Sequence, residues 1–207
     1  MPDDALESAF RARGLTKVAG VDEAGRGPLA GPVSAAAVIL PPGWRCPGLD
    51  DSKKLTAAKR ERLFEVITLD ATVSWSLAYA EPEEIDRINI LRATHAAMAR
   101  AVEGLKAAVD HCLIDGLRVR DFPWRHDGIV KGDGKSLSIA AASIIAKVSR
   151  DRVMLEFARE FPEYGFERHM GYGTKMHLEA LRLHGPCRLH RRSFQPVAQL
   201  ALPPDEA

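Results

Sequence analysis

Apolar residues along the chain fall into short runs and into longer segments with helical spacing. The short runs, continuously apolar or alternating with polar residues, predict β-strands at 17–22, 33–40, 72–80, 111–115 and 128–131. Apolar residues that recur every three to four positions predict helices at 3–12, 56–67, 83–108, 138–159 and 174–183. Strands therefore dominate the first part of the chain and helices the last, and the final 20 residues are predicted to be irregular.

The connections between these elements predict an α/β fold with a mixed sheet. The first two strands are joined by a turn at about 25–32, which is too short for a helical crossover and favours antiparallel pairing. The order of strands and helices favours an α/β domain whose part from about 160 to 207 is helical. At 207 residues, the chain is expected to form a single domain over residues 1–207.

The charged residues are unevenly distributed, although the net charge is only +1. Residues 168–192 contain six lysines or arginines, four histidines and a single acid, Glu179. This asymmetry indicates a polyanionic partner. A basic segment that is simply solvated is the alternative.

Composition also predicts where the protein works. The N-terminal MPDDALESAF is acidic and polar, unlike a signal peptide, and no apolar run reaches the ~18 residues of a membrane helix. The three cysteines, Cys46, Cys112 and Cys187, are odd in number and far apart, so no disulfide framework is expected. These features favour a protein of the reducing cytoplasm with no membrane partner.

Two adjacent acids and a glycine-flanked arginine form the first candidate site. Asp22 and Glu23 end the first predicted strand, and the turn of Gly25, Arg26 and Gly27 follows. Neighbouring residues of a regular strand point to opposite faces, so an irregular strand end is expected if both acids serve one site. The turn offers a guanidinium and backbone N–H groups, which could read the 2′-hydroxyl that distinguishes RNA from DNA.

Two further acids occupy similar positions. Asp115 ends another predicted strand, and Asp133 lies between two glycines just after a third. Strand ends in α/β folds border a common crevice, so these acids are expected to converge with Asp22 and Glu23. Clustered carboxylates favour hard cations such as Mg²⁺ or Mn²⁺, and four acids suit a pair of ions ~3.5–4 Å apart, an arrangement that hydrolyses phosphodiesters. For any single acid, the alternative is that it merely terminates a strand.

Basic and aromatic residues elsewhere are candidates for contacts with nucleic acid. Tyr172 lies between two glycines and could stack on a sugar or base, or it could pack within its own loop. Lys147 and Arg150 lie on the helix after Asp133 and could contact phosphates or simply face solvent. Lys53, within DSKKL, is a further substrate-binding candidate.

Three partial motifs point to other functions but are incomplete. The turn at 25–30 matches the dinucleotide fingerprint G-x-G-x-x-A, yet a strand rather than a helix is predicted after it. GDGKS at 132–136 lacks the loop length of a phosphate-binding P-loop. His184, Cys187 and His190 lack a fourth zinc ligand. A nucleotide-dependent enzyme that uses the glycine turn is therefore a third-ranked hypothesis.

Six ordered motifs resemble bacterial ribonuclease HII, the type 2 ribonuclease H. They are DEAGRG, DSKKL, EIDRINILRATHAAM, LIDG, KGD with IAAASIIAKVSRD, and YGFERHMGYGT, and the resemblance covers about residues 17–196. It implies a ribonuclease H-like mixed sheet flanked by helices and endonucleolytic cleavage of RNA in RNA–DNA hybrids. It also implies incision 5′ of ribonucleotides embedded in duplex DNA, with 3′-hydroxyl and 5′-phosphate ends, and dependence on one or two Mg²⁺ or Mn²⁺ ions.

The resemblance also assigns roles to residues. Gly25, Arg26 and Gly27 are expected to grip the nucleotide at the RNA-to-DNA junction, and Tyr172 is expected to sense that junction. The catalytic, metal-binding acids that the resemblance implies are Asp22, Glu23, Asp115 and Asp133.

Two features of the N-terminal part of the chain distinguish ribonuclease HII from its relative ribonuclease HIII. Ribonuclease HIII usually carries a lysine in the turn and a long N-terminal substrate-binding domain, so Arg26 and the short segment before the first strand favour HII. The C-terminal QLALPPDEA lacks the paired aromatics of a sliding-clamp peptide, so no such tether is expected. A monomer is expected. The alternative function is a non-catalytic module that binds RNA–DNA hybrids, against which the four intact acids argue.

Overall fold

A five-stranded mixed β-sheet forms the centre of the structure. The computed structural model describes residues 1–200. The strands are β1 Val18–Ala24, β2 Val33–Ile39, β3 Ser74–Ala80, β4 His111–Asp115 and β5 His126–Ile129. Their order is β3-β2-β1-β4-β5, in which β1–β2 and β2–β3 are antiparallel and β1–β4 and β4–β5 are parallel. The predicted α/β class, the mixed sheet and the antiparallel first pair are confirmed.

Helices cover both faces of this sheet. Within the described residues they are α1 Ala5–Arg11, α2 Ala57–Leu69, α3 Pro82–Ile88, α4 Ile90–Glu103, α5 Leu137–Glu160, α6 Phe166–His169, α7 Lys175–His184 and α8 Val197–Leu200. Side chains of β1 alternate between two layers: Ala19 and Val21 pack with α4, whereas Gly20 and Asp22 face α5. None of the helices in residues 1–200 is long and apolar enough to cross a bilayer.

The close approach of α5 to β1 depends on one glycine. A Cβ added at Gly20 would lie 2.1 Å from the carbonyl carbon of Ser138 and 2.3 Å from the nitrogen of Ile139. The helix begins at its N-cap Ser136, whose hydroxyl accepts a hydrogen bond from the Ile139 N–H at 3.1 Å. Helix α5 therefore lies directly on β1 and brings Ser143 beside the end of the strand.

The prediction of one long helix at 83–108 is wrong, because the structure contains two helices there. Asn89 separates α3 from α4 and has a positive φ of 67°. Its side-chain oxygen accepts hydrogen bonds from the N–H groups of Leu91 and Arg92 at 3.0 and 3.1 Å. Asparagine tolerates a positive φ better than most residues and caps helices well, so it ends one helix and begins the next.

The C-terminal portion is helical, as predicted, but it contains two short helices that the pattern did not indicate. Helix α6 follows Gly165, which has a positive φ of 68°. Helix α8 lies within the last 20 residues, so the prediction that this segment is irregular is wrong for Val197–Leu200. Each helix is only four residues long, which is too short to produce a repeating apolar pattern.

A buried chain of hydrogen bonds joins the C-terminal segment to α7. The Nδ1–H of His177 donates to the carbonyl of Tyr172 at 2.9 Å, so its Nε2 accepts from the Nε2–H of His190 at 3.0 Å. The Nδ1 of His190 accepts from the N–H of Cys187 at 3.1 Å. His184 is exposed, and among the described residues no zinc-type cluster is assembled here.

This chain of neutral imidazoles predicts a loss of stability in mild acid. Burial lowers the pKa of His177 and His190 to about 4 from the ordinary 6.5. A histidine whose folded pKa is depressed contributes stability that is complete above 6.5 and is lost as the pH falls toward 4. We expect a decrease in unfolding free energy of roughly 1–3 kcal/mol per histidine over that interval.

Urea unfolding at several pH values between 7.5 and 4.5 tests this expectation. His190→Gln should flatten the curve, because glutamine stays neutral and can still donate to His177. His184→Gln is the matched control and should give a curve parallel to that of the unchanged protein, since His184 is exposed. A His190→Gln protein with an unchanged pH dependence would contradict the assignment.

Candidate active site

Asp22 and Glu23 lie on the last part of β1, where the strand is still regular. Strand β1 pairs with β2 through Asp22 and Glu23 as far as Ala24, so the expected irregular strand end is absent. The two carboxylates therefore point to opposite faces of the sheet. Asp22 lies on the side of Ser143, and Glu23 borders a groove that also contains His95.

Both acids nevertheless interact with the same carboxylate, that of Asp115, because β4 ends beside them. The pairing of β1 with β4 stops at Val21 and Ile114, so Asp115 lies at the open end of the sheet. Its carboxylate contributes to the raised pKa of both Asp22 and Glu23. Asp115 is thus the centre of the cluster, and it is itself held by the N–H of Gly132, which donates to Oδ1 at 2.7 Å.

Asp133 approaches this centre on a tight turn. Residues Gly132–Gly134 form a 3-10 turn that starts after Lys131, whose φ is 56°. Burial, followed by the charges of Asp115 and Asp51, raises the pKa of Asp133. The structure therefore brings the predicted acids from three distant parts of the chain to one end of the sheet.

The electrostatics of the cluster fit a divalent cation. Burial and the nearby carboxylates of Glu23 and Asp115 raise the pKa of Asp22 well above its ordinary value. Burial also raises the pKa of Glu23, although Arg26 lies 3.3 Å away, and Oε2 of Glu23 is buried without a hydrogen-bond partner. Mutually destabilised carboxylates with a free oxygen suit a hard cation.

Two of the four carboxylates are paired with cationic side chains of the protein itself. Among residues 1–200, no three His, Cys, Asp or Glu side chains are arranged closely enough to hold a metal. Glu23 instead pairs with Arg26, and Asp133 lies 3.9 Å from the Nζ of Lys53. Ion binding would therefore require these carboxylates to turn from the protein's own cations toward the metal.

The glycine turn lies directly beside the acids and against the predicted tyrosine. Gly25 has a φ of 95°, which favours glycine, and a Cβ there would lie 2.0 Å from Nε of Arg150. A Cβ at Gly27 would lie 3.7 Å from the ring of Tyr172, so the ring borders the turn. Arg26 and Tyr172 are about half exposed, at 48% and 46%. The turn leads into β2 rather than a helix, which removes the dinucleotide-binding hypothesis.

One groove of about 240 Å³ connects these features. It is lined by Asp22, Glu23, Ala24, Gly25, Arg26, Gly27, Ser52, Lys53, Ser143, Lys147 and Tyr172. Lys53 is exposed on its rim, and Lys147 is partly buried with its ammonium 2.7 Å from Asp151. Two lysines, an arginine and a tyrosine therefore surround the acids, as a polyanionic ligand requires.

The prediction that Arg150 contacts a phosphate is wrong. Its side chain is buried, and its guanidinium donates to the carbonyls of Pro32, Met170 and Ala30 at 2.9, 3.0 and 3.1 Å. Burial lowers the pKa of Arg150 to about 10, so it stays charged at neutral pH. Each of its three nitrogens donates to a backbone carbonyl inside the protein, and its buried side chain offers no surface to a ligand.

A second buried arginine, Arg191, was not singled out by the sequence. Its guanidinium donates to the carbonyls of Gly25, Arg26 and Gly31, and its side chain is buried. Burial lowers the pKa of Arg191 to about 9. The basic string HRRSF was the only signal, and it does not show which of its arginines turns inward.

Comparisons with known proteins agree on one family. The family model described as Ribonuclease HII matches residues 19–197. The Ribonuclease HII of Bacillus cereus strain B4264 is 52% identical over 194 residues, which cover 94% of this chain and 75% of that protein.

Solved structures show the same fold. The ribonuclease H2 of Pyrococcus horikoshii OT3 superimposes with a TM-score of 0.75 at 26% identity, covering 89% of this chain and 96% of that one. The ribonuclease HII in a complex with PCNA from Archaeoglobus fulgidus gives 0.70 at 25% identity, covering 86% and 95%. These neighbours confirm the predicted ribonuclease H-like fold.

Proposed function

Because the chain belongs to the ribonuclease HII family and is a ribonuclease H enzyme that acts on RNA–DNA hybrids, we propose that it also incises duplex DNA at embedded ribonucleotides. The cut lies 5′ of the ribonucleotide and leaves 3′-hydroxyl and 5′-phosphate ends. The observation that carries this proposal is the contact between the glycine turn and Tyr172 beside Asp22 and Glu23 in one groove. Membership of this enzyme family argues against the alternative function, a non-catalytic module that binds RNA–DNA hybrids.

We propose that Asp22, Glu23, Asp115 and Asp133 hold one or two Mg²⁺ or Mn²⁺ ions. The raised pKa values of Asp22, Glu23 and Asp133 and the unpartnered Oε2 of Glu23 support this assignment. A bound divalent ion lowers the pKa of a water and offsets charge on the leaving 3′ oxygen. The four carboxylates would hold such ions at the end of the sheet.

We propose that the residues around the acids position the substrate. The N–H groups and guanidinium of the turn would contact the ribose 2′-hydroxyl and its phosphate. The half-exposed ring of Tyr172 offers a surface on which the next sugar stacks. Lys53 and Lys147 line the same groove and are proposed to contact phosphates on either side of the cut. The cut strand would then run along the groove between turn and lysines.

Three labelled substrates of the same sequence test the proposal. They are an RNA–DNA hybrid, a DNA duplex with one ribonucleotide, and an all-DNA duplex, each incubated with Mg²⁺, with Mn²⁺ or with EDTA. We expect cleavage of the first two only, and only with a divalent ion. Cleavage of the hybrid with an intact single-ribonucleotide duplex would reject the proposal while leaving the ribonuclease H activity in place.

Tyr172→Ala should reduce cleavage at a single ribonucleotide more than cleavage of a long hybrid. Loss of a stacking surface worth about 1–3 kcal/mol should lower kcat/KM on the single-ribonucleotide duplex by about 5- to 150-fold. The ring is half exposed, so unfolding should change little. Tyr172→Phe keeps the ring and is the matched control. Equal losses on both substrates would argue against a junction role.

The remaining proposals concern partners and location. We propose that the protein works as a single catalytic domain and as a monomer in the cytoplasm, in the repair of ribonucleotides left in DNA. One solved relative is the ribonuclease HII of a complex with PCNA, and the expectation that QLALPPDEA forms no sliding-clamp peptide stays a prediction. Of that segment, residues 201–207 lie outside the described residues.

A further inference from the structure

We infer that Arg191 is a positioning residue for ribonucleotide recognition. It turns the N–H groups of Arg26 and Gly27 outward, so that they form the donor pair that meets the ribose. This inference rests on the proposed function, because it concerns how the glycine turn recognises its ligand. Arg191 itself is buried and touches no substrate.

The guanidinium of Arg191 is fixed to the inner side of the turn. Its Nη2 donates to the carbonyls of Gly25 and Gly31 at 2.5 and 2.8 Å. Its Nη1 donates to the carbonyl of Arg26 at 2.9 Å, and its Nε to Gly31 at 3.0 Å. Two successive carbonyls of the turn therefore point inward at one planar cation.

Because the carbonyls of the turn point inward, the geometry of the peptide bond makes the following N–H groups point outward. In a trans peptide the carbonyl and the following N–H point in opposite directions. The inward carbonyls of Gly25 and Arg26 therefore place the N–H groups of Arg26 and Gly27 on the outer side. Among residues 1–200 neither N–H donates a hydrogen bond, and both residues are exposed. Successive free N–H groups form a concavity that binds electron-rich oxygen.

Only an arginine suits this position. Its rigid fork reaches three carbonyls at once, whereas a lysine ammonium is a point charge on a flexible stem. No carboxylate of the described residues lies within ion-pairing distance of Arg191, so the backbone carbonyls are its partners. Its own backbone N–H donates to Leu29 at 2.8 Å, and the ring of Phe194 lies 5.1 Å from its guanidinium carbon. The arginine is thus itself held in place.

Binding measured without cleavage tests the inference. Two duplexes that differ only in one ribonucleotide or deoxyribonucleotide are titrated with protein in EDTA, and fluorescence anisotropy gives the ratio of the two affinities. We expect Arg191→Lys and Arg191→Met to lower this ratio about tenfold, since two recognition hydrogen bonds lose their alignment. Affinity for the all-DNA duplex should stay within about twofold.

The ratio separates positioning from a merely structural role. A partly unfolded preparation weakens both titrations equally, so the ratio is unaffected by the folded fraction. Arg188→Met is the control, because Arg188 is exposed, pairs with Glu160 and does not contact the turn. Phe194→Leu loosens the guanidinium without changing it and should lower the ratio in the same direction if the arginine variants do not fold.

Two outcomes would overturn different claims. Variants of Arg191 and Phe194 that keep the full ribonucleotide preference would overturn the positioning role while leaving the proposed function intact. An unchanged protein that shows no preference for the ribonucleotide in EDTA would also overturn the inference, whereas only an uncut single-ribonucleotide duplex in the cleavage assay would overturn the proposed function.

Discussion

Asp22→Asn is expected to abolish cleavage and, at the same time, to stabilise the metal-free protein. Loss of one carboxylate of the cluster should lower the rate with Mg²⁺ by about 10³-fold or more. Burial, Glu23 and Asp115 raise the pKa of Asp22, so its ionised form opposes folding at neutral pH. Removing that charge should raise the unfolding free energy in EDTA by roughly 1–2 kcal/mol.

The pH dependence of this gain follows from the sign of the shift. An acid whose folded pKa is raised contributes stability below its ordinary value of 3.8 and loses it as the pH rises through the folded pKa. The advantage of Asp22→Asn should therefore disappear as the pH falls toward 3.8. Thermal unfolding in EDTA at several pH values measures it. Glu65→Gln, at an exposed carboxylate on α2 that has no ion pair within residues 1–200, is the control and should change neither property.

A stabilised variant that still cleaves would contradict the catalytic assignment of Asp22. A variant that is inactive and also destabilised at neutral pH would contradict the electrostatic explanation. Added Mn²⁺ should raise the melting temperature of the unchanged protein more than that of Asp22→Asn, because binding to the folded state stabilises it by mass action.

Gly20→Ala is expected to cause the largest loss of stability from a single methyl group. The new Cβ would lie 2.1 Å from the carbonyl carbon of Ser138 and 2.5 Å from its oxygen. These are backbone atoms of α5, which cannot rotate away, so the helix must move off β1. We expect a loss of about 3 kcal/mol or more.

Denaturant unfolding measures this effect, and activity reports its consequence. Displacement of α5 would move Ser143 and Lys147 away from Asp22, so cleavage should fall as well. Gly134→Ala is the stability control, because a Cβ at Gly134 meets nothing within 4 Å. A Gly20→Ala protein as stable as the unchanged one would show that the sheet and helix have more freedom than the contact suggests.

The sequence predicted the secondary-structure elements well because they depend on local signals, and the same signals drew attention to acids that the fold brings to one end of the sheet. Alternation and helical spacing revealed all five strands and the long helices, and acids after apolar runs pointed to Asp22, Asp115 and Asp133. The break at Asn89 was missed because apolar spacing continues across it. A single residue with a positive φ ended the helix there.

Side-chain direction was the part that local signals did not reveal. Arg150 appears in a pattern that suits a phosphate contact, yet it is buried under carbonyls of Ala30 and Pro32, more than 110 residues away. Arg191 is buried by the glycine turn, about 160 residues away. Whether an arginine faces solvent depends on such distant loops, so its role follows only from the folded arrangement.

The most direct test of the account is the position and chemistry of the cut in duplex DNA with one ribonucleotide. The strand is labelled at each end in turn, and the products made with Mg²⁺, Mn²⁺ or EDTA are sized at single-nucleotide resolution. We predict a nick 5′ of the ribonucleotide only with a divalent ion, with a 3′-hydroxyl that a polymerase extends. A nick 3′ of the ribonucleotide that forms in EDTA and ends in a 2′,3′-cyclic phosphate would contradict the account, because the 2′-hydroxyl would then be the nucleophile.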